Sequence, residues 1–178
     1  MDGYEEAVKK HILVGFEKLY STEMCMSSRQ SPISEFTCCF LTEEESDWIG
    51  RDVTEEEVKD GLWSLRPFKA PGPDGLHAGF YQQFWGDVGN SVCNEVLDIS
   101  EYGKVLEYLN ETLITLIPKC QSPESLNNYR PISLCNSIYK VVSKIIINRI
   151  RPRIGKLVAP VQTAFVPGRK GIDNVLLA

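Results

Sequence analysis

The chain has 178 residues, of which 43% are hydrophobic and 24% are charged, a composition that suits a globular protein with enough apolar residues for a core. No apolar run approaches the roughly 18 residues that a transmembrane helix needs, and the acidic amino terminus does not match a secretory signal. We therefore expect a protein that is cytoplasmic or nuclear, is not secreted and has no membrane partner.

The cysteines and histidines do not have the spacing of a metal site. No two of the six cysteines form a C-x-x-C pair, and neither histidine follows a cysteine cluster. Structural zinc sites depend on such spacings. We therefore predict reduced, mostly buried thiols and no bound metal.

The net charge of −5 is unevenly distributed along the chain. Residues 1–68 have a net charge of −8 and residues 69–117 one of −5, whereas residues 118–178 contain 10 basic and 2 acidic side chains. A basic segment in an acidic chain predicts a local site for a polyanion. The alternative interpretation is a solvated charged surface.

Helical spacing and capping signals organise the amino-terminal part. Apolar residues recur every three or four positions from Tyr4 to Tyr20, which predicts an amphipathic helix. The acidic run at residues 43–47 is interpreted as a solvated patch. Thr54 and Glu57 have the spacing of a capping box, and they predict a second helix that Pro67 ends.

The segment Lys69–Gly75 contains three residue types that interrupt regular structure: proline, glycine and aspartate. Pro71-Gly72 predicts a type II turn, and Pro73-Asp74-Gly75 predicts a second turn. The segment is therefore expected to be a stiff, shaped loop. Its glycine spacing does not match a phosphate-binding P-loop.

Three further helices are predicted after this loop. The first covers Leu76–Trp85, and the second is expected to be capped by Asp87 and ended by Gly103. The third is expected to be capped by Asn136 and ended by Pro152, since proline interrupts a helix.

Between these helices the apolar pattern changes from helical to extended. Residues 112–117 and 129–134 are short, β-branched and apolar, which predicts two strands. The polar segment 119–128 would join them as a hairpin, and Pro131 indicates an edge strand. We therefore predict an α+β fold.

Basic side chains recur along one side of the third of these helices. Lys140, Lys144, Asn148 and Arg151 lie at positions i, i+4, i+8 and i+11, so they share a face. Together with Arg149, Arg153 and Lys156 they are expected to follow a nucleic-acid backbone. A solvated helix surface is the alternative.

Four segments in this order resemble the reverse transcriptase of plant LINE-type (non-LTR) retrotransposons: Lys69–Leu76, Asn110–Lys119, Asn128–Leu134 and Gln162–Arg169. The resemblance implies that residues 1–50 are a helical connector, partly loop. Residues 51–178 would be a partial reverse transcriptase domain, the fingers and the palm entrance of a right-hand polymerase, truncated before the rest of the hand.

The resemblance also implies roles for individual residues. Lys119 and Arg130 would hold the phosphates of the incoming nucleotide, Arg as a bidentate fork and Lys as a point charge. Contact with template or primer would fall to Lys69, Gln162, Phe165, Gly168 and Arg169. The alternative for Lys119 and Arg130 is that they are two exposed surface cations without a ligand. The alternative for Phe165 is a place in the core, and the alternative for the loop and the Pro-Gly turn is that they only position helices.

Catalysis by the family needs carboxylates that hold two Mg²⁺ ions. The chain has no Asp-Asp pair, and Asp173 precedes the position of the family's first catalytic aspartate. We therefore expect no catalytic residue, no cofactor in this chain and no activity alone. RNA or an RNA/DNA template-primer and a deoxynucleoside triphosphate are the expected partners.

Two other interpretations remain open at this stage. The chain is a degenerate remnant of a retroelement without function, or it is a protein-interaction module that uses its acidic helices within residues 1–66. A partner captured by the acidic helices would favour the second interpretation, and an aggregating product would favour the first.

Overall fold

The computed structural model describes residues 2–21, 41–158, 162–163 and 166–170. These residues form eight α-helices and one two-stranded sheet, with a short 3₁₀ turn at Leu126–Asn128. The helices are α1 (Asp2–Tyr20), α2 (Glu43–Gly50), α3 (Glu55–Trp63), α4 (Ala78–Gln83), α5 (Trp85–Tyr102), α6 (Glu107–Asn110), α7 (Ser137–Ile150) and α8 (Ile154–Leu157). The strands are β1 (Thr112–Pro118) and β2 (Tyr129–Cys135). The mixed α+β composition is as predicted.

The chain divides into two compact units. The smaller unit combines residues 1–36 with residues 115–132, and the larger unit combines residues 37–114 with residues 133–178. The predicted division at residue 50 into a connector and a polymerase domain stays a prediction, as does the right-hand fingers architecture.

The core of the larger unit lies where α3, α5 and α7 pack together. Val58 and Val141 are completely buried, and Leu62 and Val96 are only 1% exposed. A Cβ on Gly61 would lie 3.3 Å from a methyl group of Val141. The small residue therefore allows α3 and α7 to approach closely, and burial of these apolar side chains stabilises the unit.

Capping boxes begin two of the helices. Thr54 Oγ1 accepts from the Glu57 amide at 3.3 Å, and the Glu57 carboxylate accepts from the Thr54 amide at 3.2 Å, as predicted. Thr42 and Glu45 repeat the arrangement at the start of α2. Glu43, Glu44 and Asp47 are exposed, as expected for a solvated patch, and Glu45 belongs to the capping box.

The ends of α5 agree in part with the prediction. The helix begins at Trp85, so Asp87 lies inside the first turn and is not the cap. Gly103 ends the helix with a φ of +64°, as predicted, because glycine adopts the left-handed conformation without a steric penalty.

The smaller unit contains α1 and the tip of the hairpin. Gly15 faces the end of the Leu126 side chain. Several apolar side chains of α1 are exposed: Tyr4, Val8, Leu13, Val14 and Tyr20.

Within the described residues, no helix combines the length and apolar character that crossing a bilayer requires.

Candidate nucleotide and nucleic-acid binding surfaces

Two contacts define the register of the hairpin. The Lys119 amide donates to the carbonyl of Asn128 at 2.7 Å, and at the other end Thr112 Oγ1 lies 3.6 Å from Cys135 Sγ. In an antiparallel ladder, hydrogen-bonded residues lie opposite each other. Both contacts give one register, in which Arg130 lies opposite Ile117.

This register places Lys119 and Arg130 on one face of the hairpin. Alternate residues of a strand share a face, so Lys119 lies on the side of Ile117 and therefore of Arg130. The two basic residues are diagonal neighbours, whose backbones are separated by roughly 7–8 Å. Both side chains are exposed, so a solvated polyphosphate has access to them.

The two cations differ in their surroundings. Lys119 Nζ donates to the backbone carbonyl of Asn127 at 2.7 Å, which holds the ammonium group at the hairpin tip. The guanidinium of Arg130 has neither a hydrogen bond nor an ion pair with any described residue. The donors of Arg130 are therefore available to a ligand.

The loop at residues 69–75 is fixed to the beginning of α7 by buried polar side chains. Asn136, which is 1% exposed, accepts from the Asp74 amide at 3.2 Å and donates to the Tyr108 carbonyl at 2.9 Å. Ser137 Oγ donates to the Leu76 carbonyl at 2.8 Å. Asn136 occupies the cap position that was predicted, but its side chain makes no capping hydrogen bond.

Gly72 is needed in this loop because of close packing. Its φ is not positive, so the predicted type II turn at Pro71-Gly72 is wrong. Instead, Gly72 lies against the backbone of Cys135 and Asn136, where a Cβ has no room. The second turn is confirmed, since the Gly75 amide donates to the Gly72 carbonyl at 3.1 Å.

A cavity of about 300 Å³ lies between this loop and α7. It brings together Lys69 and Lys140, which the sequence analysis had assigned to nucleic-acid contact separately. Lys140 Nζ donates to the Ala70 carbonyl at 3.3 Å. Arg66, which the sequence analysis did not single out, also lines the cavity. Three cations therefore converge on one concave surface.

An exposed apolar side chain lies beside the predicted basic stripe of α7. Lys144 is half-buried and Arg151 is exposed. Ile147 is three residues after Lys144 and four before Arg151, so it lies between them on the helix surface; its side chain is 51% exposed. Continuous contact between the stripe and a nucleic-acid backbone stays a prediction.

Arg149 has a structural role and is not available to nucleic acid. Its side chain is 6% exposed, and it donates to both carboxylate oxygens of Glu57, at 3.0 and 2.7 Å. It also donates to the carbonyls of Ile49, Arg51 and Asp52. The hydrogen bonds from Arg149 lower the pKa of Glu57 to about 2. The expectation that Arg149 follows a nucleic-acid backbone is therefore wrong.

Arg153 and Lys156 also contact the chain itself. The Arg153 guanidinium lies 4.0 Å from the ring centre of Trp48, a favourable cation–π contact. Lys156 Nζ lies 2.6 Å from a carboxylate oxygen of Glu45, and this hydrogen bond lowers the pKa of Glu45. The uneven charge of the sequence is thus partly neutralised within the larger unit.

The chain turns at Pro167-Gly168 before Arg169. The Arg169 amide donates to the Val166 carbonyl at 3.2 Å, and Gly168 has a φ of +82°, as a type II turn at Pro167-Gly168 requires. Phe165 lies outside the described residues, as does Asp173.

The side chain of Arg169 holds neighbouring backbone segments. Its guanidinium donates to the carbonyls of Gln162, Gly155 and Val158, at 2.8, 2.8 and 3.1 Å. These bonds fix the position of the turn relative to α8 in the larger unit. A contact of Arg169 or Gln162 with template stays a prediction.

The relatives of the chain are proteins of mobile elements. The 149 kDa protein of transposon TX1 from Xenopus laevis is 27% identical over 179 residues, which covers 97% of this chain. The Pol polyprotein of the type-1 retrotransposable element R1 from Bradysia coprophila is 26% identical over 129 residues, 68% of this chain. The RNA-directed DNA polymerase of the element jockey from Drosophila melanogaster is 31% identical over 105 residues, 55% of this chain.

The chain is a relative of non-LTR retrotransposon proteins. This confirms the LINE-type, reverse-transcriptase-related character that the four motifs indicated, while the likeness to plant elements stays a prediction. No family model matches the chain. The matched segments span 13%, 12% and 11% of the three relatives.

The described residues of this retrotransposon relative do not fit the magnesium site that the resemblance implies for the full-length family. Among the described residues, no group of three or more histidine, cysteine, aspartate or glutamate side chains is arranged to hold a metal ion. The described cysteines, Cys93, Cys120 and Cys135, form no disulfide.

Phe68 is a further candidate that the sequence motifs did not indicate. Its side chain is 85% exposed, and it stands between Arg66 and Lys69 in the sequence. The alternation of basic and aromatic residues was a visible signal. Apolar periodicity alone did not reveal it, because the residue follows the end of α3.

Proposed function

We propose that the chain binds template nucleic acid and the phosphates of an incoming nucleotide, as the fingers of a retrotransposon RNA-directed DNA polymerase. The shared exposed face of Lys119 and Arg130 carries the proposal. The name of the jockey relative, an RNA-directed DNA polymerase, supports this choice of reaction.

The chemistry of a polyphosphate suits this pair. Arg130 offers a planar fork that donates two hydrogen bonds to one phosphate, and Lys119 offers a point charge to a second phosphate.

Binding of a deoxynucleoside triphosphate to the purified chain tests the proposal. Arg130→Ala is expected to weaken binding roughly 10- to 100-fold, since a hydrogen bond to a charged group contributes about 1.5–3 kcal/mol. Arg130→Lys is expected to bind more tightly than Arg130→Ala and less tightly than the wild type, because lysine keeps the charge and cannot form the bidentate hydrogen bonds of the guanidinium. Lys104→Ala, which removes an exposed cation from the larger unit, is the matched control.

Equal affinity of the wild-type chain and Arg130→Ala would overturn the proposal. The proposal assigns no catalytic residue to the chain, so primer extension by the purified protein would overturn that part of it. The remnant and protein-interaction alternatives stay predictions. A cooperative thermal transition of the purified chain would count against the first of them.

A further inference from the structure

We propose that Phe68 is a stacking platform for one base of a single-stranded nucleic acid, and that Arg66, Lys69 and Lys140 contact the neighbouring phosphates. This inference rests on the proposed function and assigns a subsite within the larger unit. The first observation is the 85% exposure of the Phe68 side chain. An exposed aromatic ring can stack on the planar face of a nucleic-acid base, and any of the bases can stack in this way.

The backbone holds Phe68 at a defined position. Phe68 occupies the third position of a turn in which the Lys69 amide donates to the Arg66 carbonyl at 3.4 Å. The Gly79 amide donates to the Pro67 carbonyl at 2.9 Å, which attaches this turn to α4. The platform is therefore fixed before a ligand arrives, and binding loses little backbone entropy.

The ring itself is held by His77. The two ring centres are 5.4 Å apart at an interplanar angle of 72°, the edge-to-face arrangement that aromatic pairs prefer. His77 is immobilised in turn, because its Nδ1 accepts from the Phe80 amide at 3.1 Å. The contact fixes the orientation of Phe68 while most of its side chain stays in water.

The charges around Phe68 identify the ligand class. Arg66 and Lys69 flank it in the sequence, and both line the cavity of about 300 Å³ together with Lys140. No acidic side chain of the described chain lines this cavity. An exposed aromatic side chain flanked by basic residues is the arrangement that binds single strands with little sequence preference. A duplex, whose bases are already stacked on each other, gains nothing from the exposed ring.

Fluorescence anisotropy of labelled oligouridylate and oligothymidylate, each about 12 nucleotides long, tests the subsite on the full chain. Phe68→Ala is expected to weaken binding roughly 5- to 100-fold, the range for loss of one stacked base. Phe68→Trp is expected to bind at least as tightly as the wild type. Tyr102→Ala is the matched control, because Tyr102 is 71% exposed at the acidic end of α5.

Three results would overturn the inference: unchanged affinity of Phe68→Ala, an equal loss in Tyr102→Ala, or a duplex that binds as tightly as the single strands. Comparison of the two oligonucleotides decides whether RNA or DNA is preferred. Since Arg130 is not part of this subsite, the triphosphate titration with Arg130→Ala is an independent result. Unchanged oligonucleotide affinity of Phe68→Ala, together with weaker triphosphate binding by Arg130→Ala, would refute this inference and leave the proposed function standing.

Discussion

Arg149 binds Glu57 through two of its guanidinium nitrogens, with distances of 3.0 and 2.7 Å to the two carboxylate oxygens. The pair connects the last turn of α7 with the first turn of α3. One backbone carbonyl in the last turn of α2 and two between α2 and α3 also accept from the guanidinium. This arrangement fixes α7 and the segment before α3 relative to each other in the larger unit.

Replacing Arg149 is expected to destabilise the larger unit strongly. Arg149→Met leaves the carbonyls of Ile49, Arg51 and Asp52 without this buried donor, at a cost of about 3 kcal/mol. Glu57 loses its bidentate partner and keeps the Thr54 amide and the Arg51 side chain. Arg151→Met, which removes an exposed cation two residues later, is expected to change stability by less than about 0.5 kcal/mol. Urea unfolding measures both, and equal midpoints for the two variants would refute the structural role.

The same pair predicts a dependence of stability on acid pH. Bonding to Arg149 lowers the pKa of Glu57 from 4.5 to about 2, so the unfolded chain binds a proton at a higher pH than the folded chain. The contribution of the pair is complete above the unfolded pKa and is lost as the pH falls through the folded pKa. Thermal melting between pH 6 and pH 2 measures this loss.

Glu57→Gln provides the control for that titration. This variant is expected to be less stable at neutral pH and to lose less additional stability between pH 5 and pH 2 than the wild type. A wild-type curve with the same slope as the variant's in this window would contradict the low pKa of Glu57.

A methyl group at position 72 is expected to disturb the loop at residues 69–75. Gly72→Ala places a Cβ against the backbone of Cys135 and Asn136, and overpacking of this kind costs about 1–3 kcal/mol. Gly86→Ala in α5 meets no atom within 4 Å, so it is expected to stabilise the chain by roughly 0.5–1 kcal/mol. Chemical denaturation shows whether each substitution raises or lowers the free energy of unfolding. Stabilisation by both substitutions would refute the close packing of Gly72 against Cys135 and Asn136.

Patterns within short stretches of the sequence predicted the strands and helix ends that depend on neighbouring residues. The β-branched runs predicted the hairpin, and Thr54 with Glu57 predicted the start of α3. The same reasoning applied to Thr42 and Glu45 would have found α2, but the acidic run that follows has little apolar periodicity. The general fold class was therefore accessible from the residues alone.

Contacts between distant residues were not accessible in this way. Asn136 and Asp74 are separated by 62 positions, and no pattern in the sequence indicates that the Asn136 side chain connects the loop at residues 69–75 with α6. For Arg149 a signal did exist, because it continues the row of Val141 and Ile145 at four-residue spacing. A cation on the buried row of a helix predicts an internal partner, whereas a cation on another row faces solvent.

The affinity of the chain for a deoxynucleoside triphosphate, relative to the monophosphate of the same nucleoside, tests the role of the hairpin most directly. Calorimetric titration of wild type, Lys119→Ala and Arg130→Ala in metal-free buffer gives this ratio. If the two cations hold a polyphosphate, the wild type binds the triphosphate at least about tenfold tighter, and each variant reduces the difference. Equal affinity of the wild type for the two nucleotides, or a preference that both variants retain in full, would contradict the account.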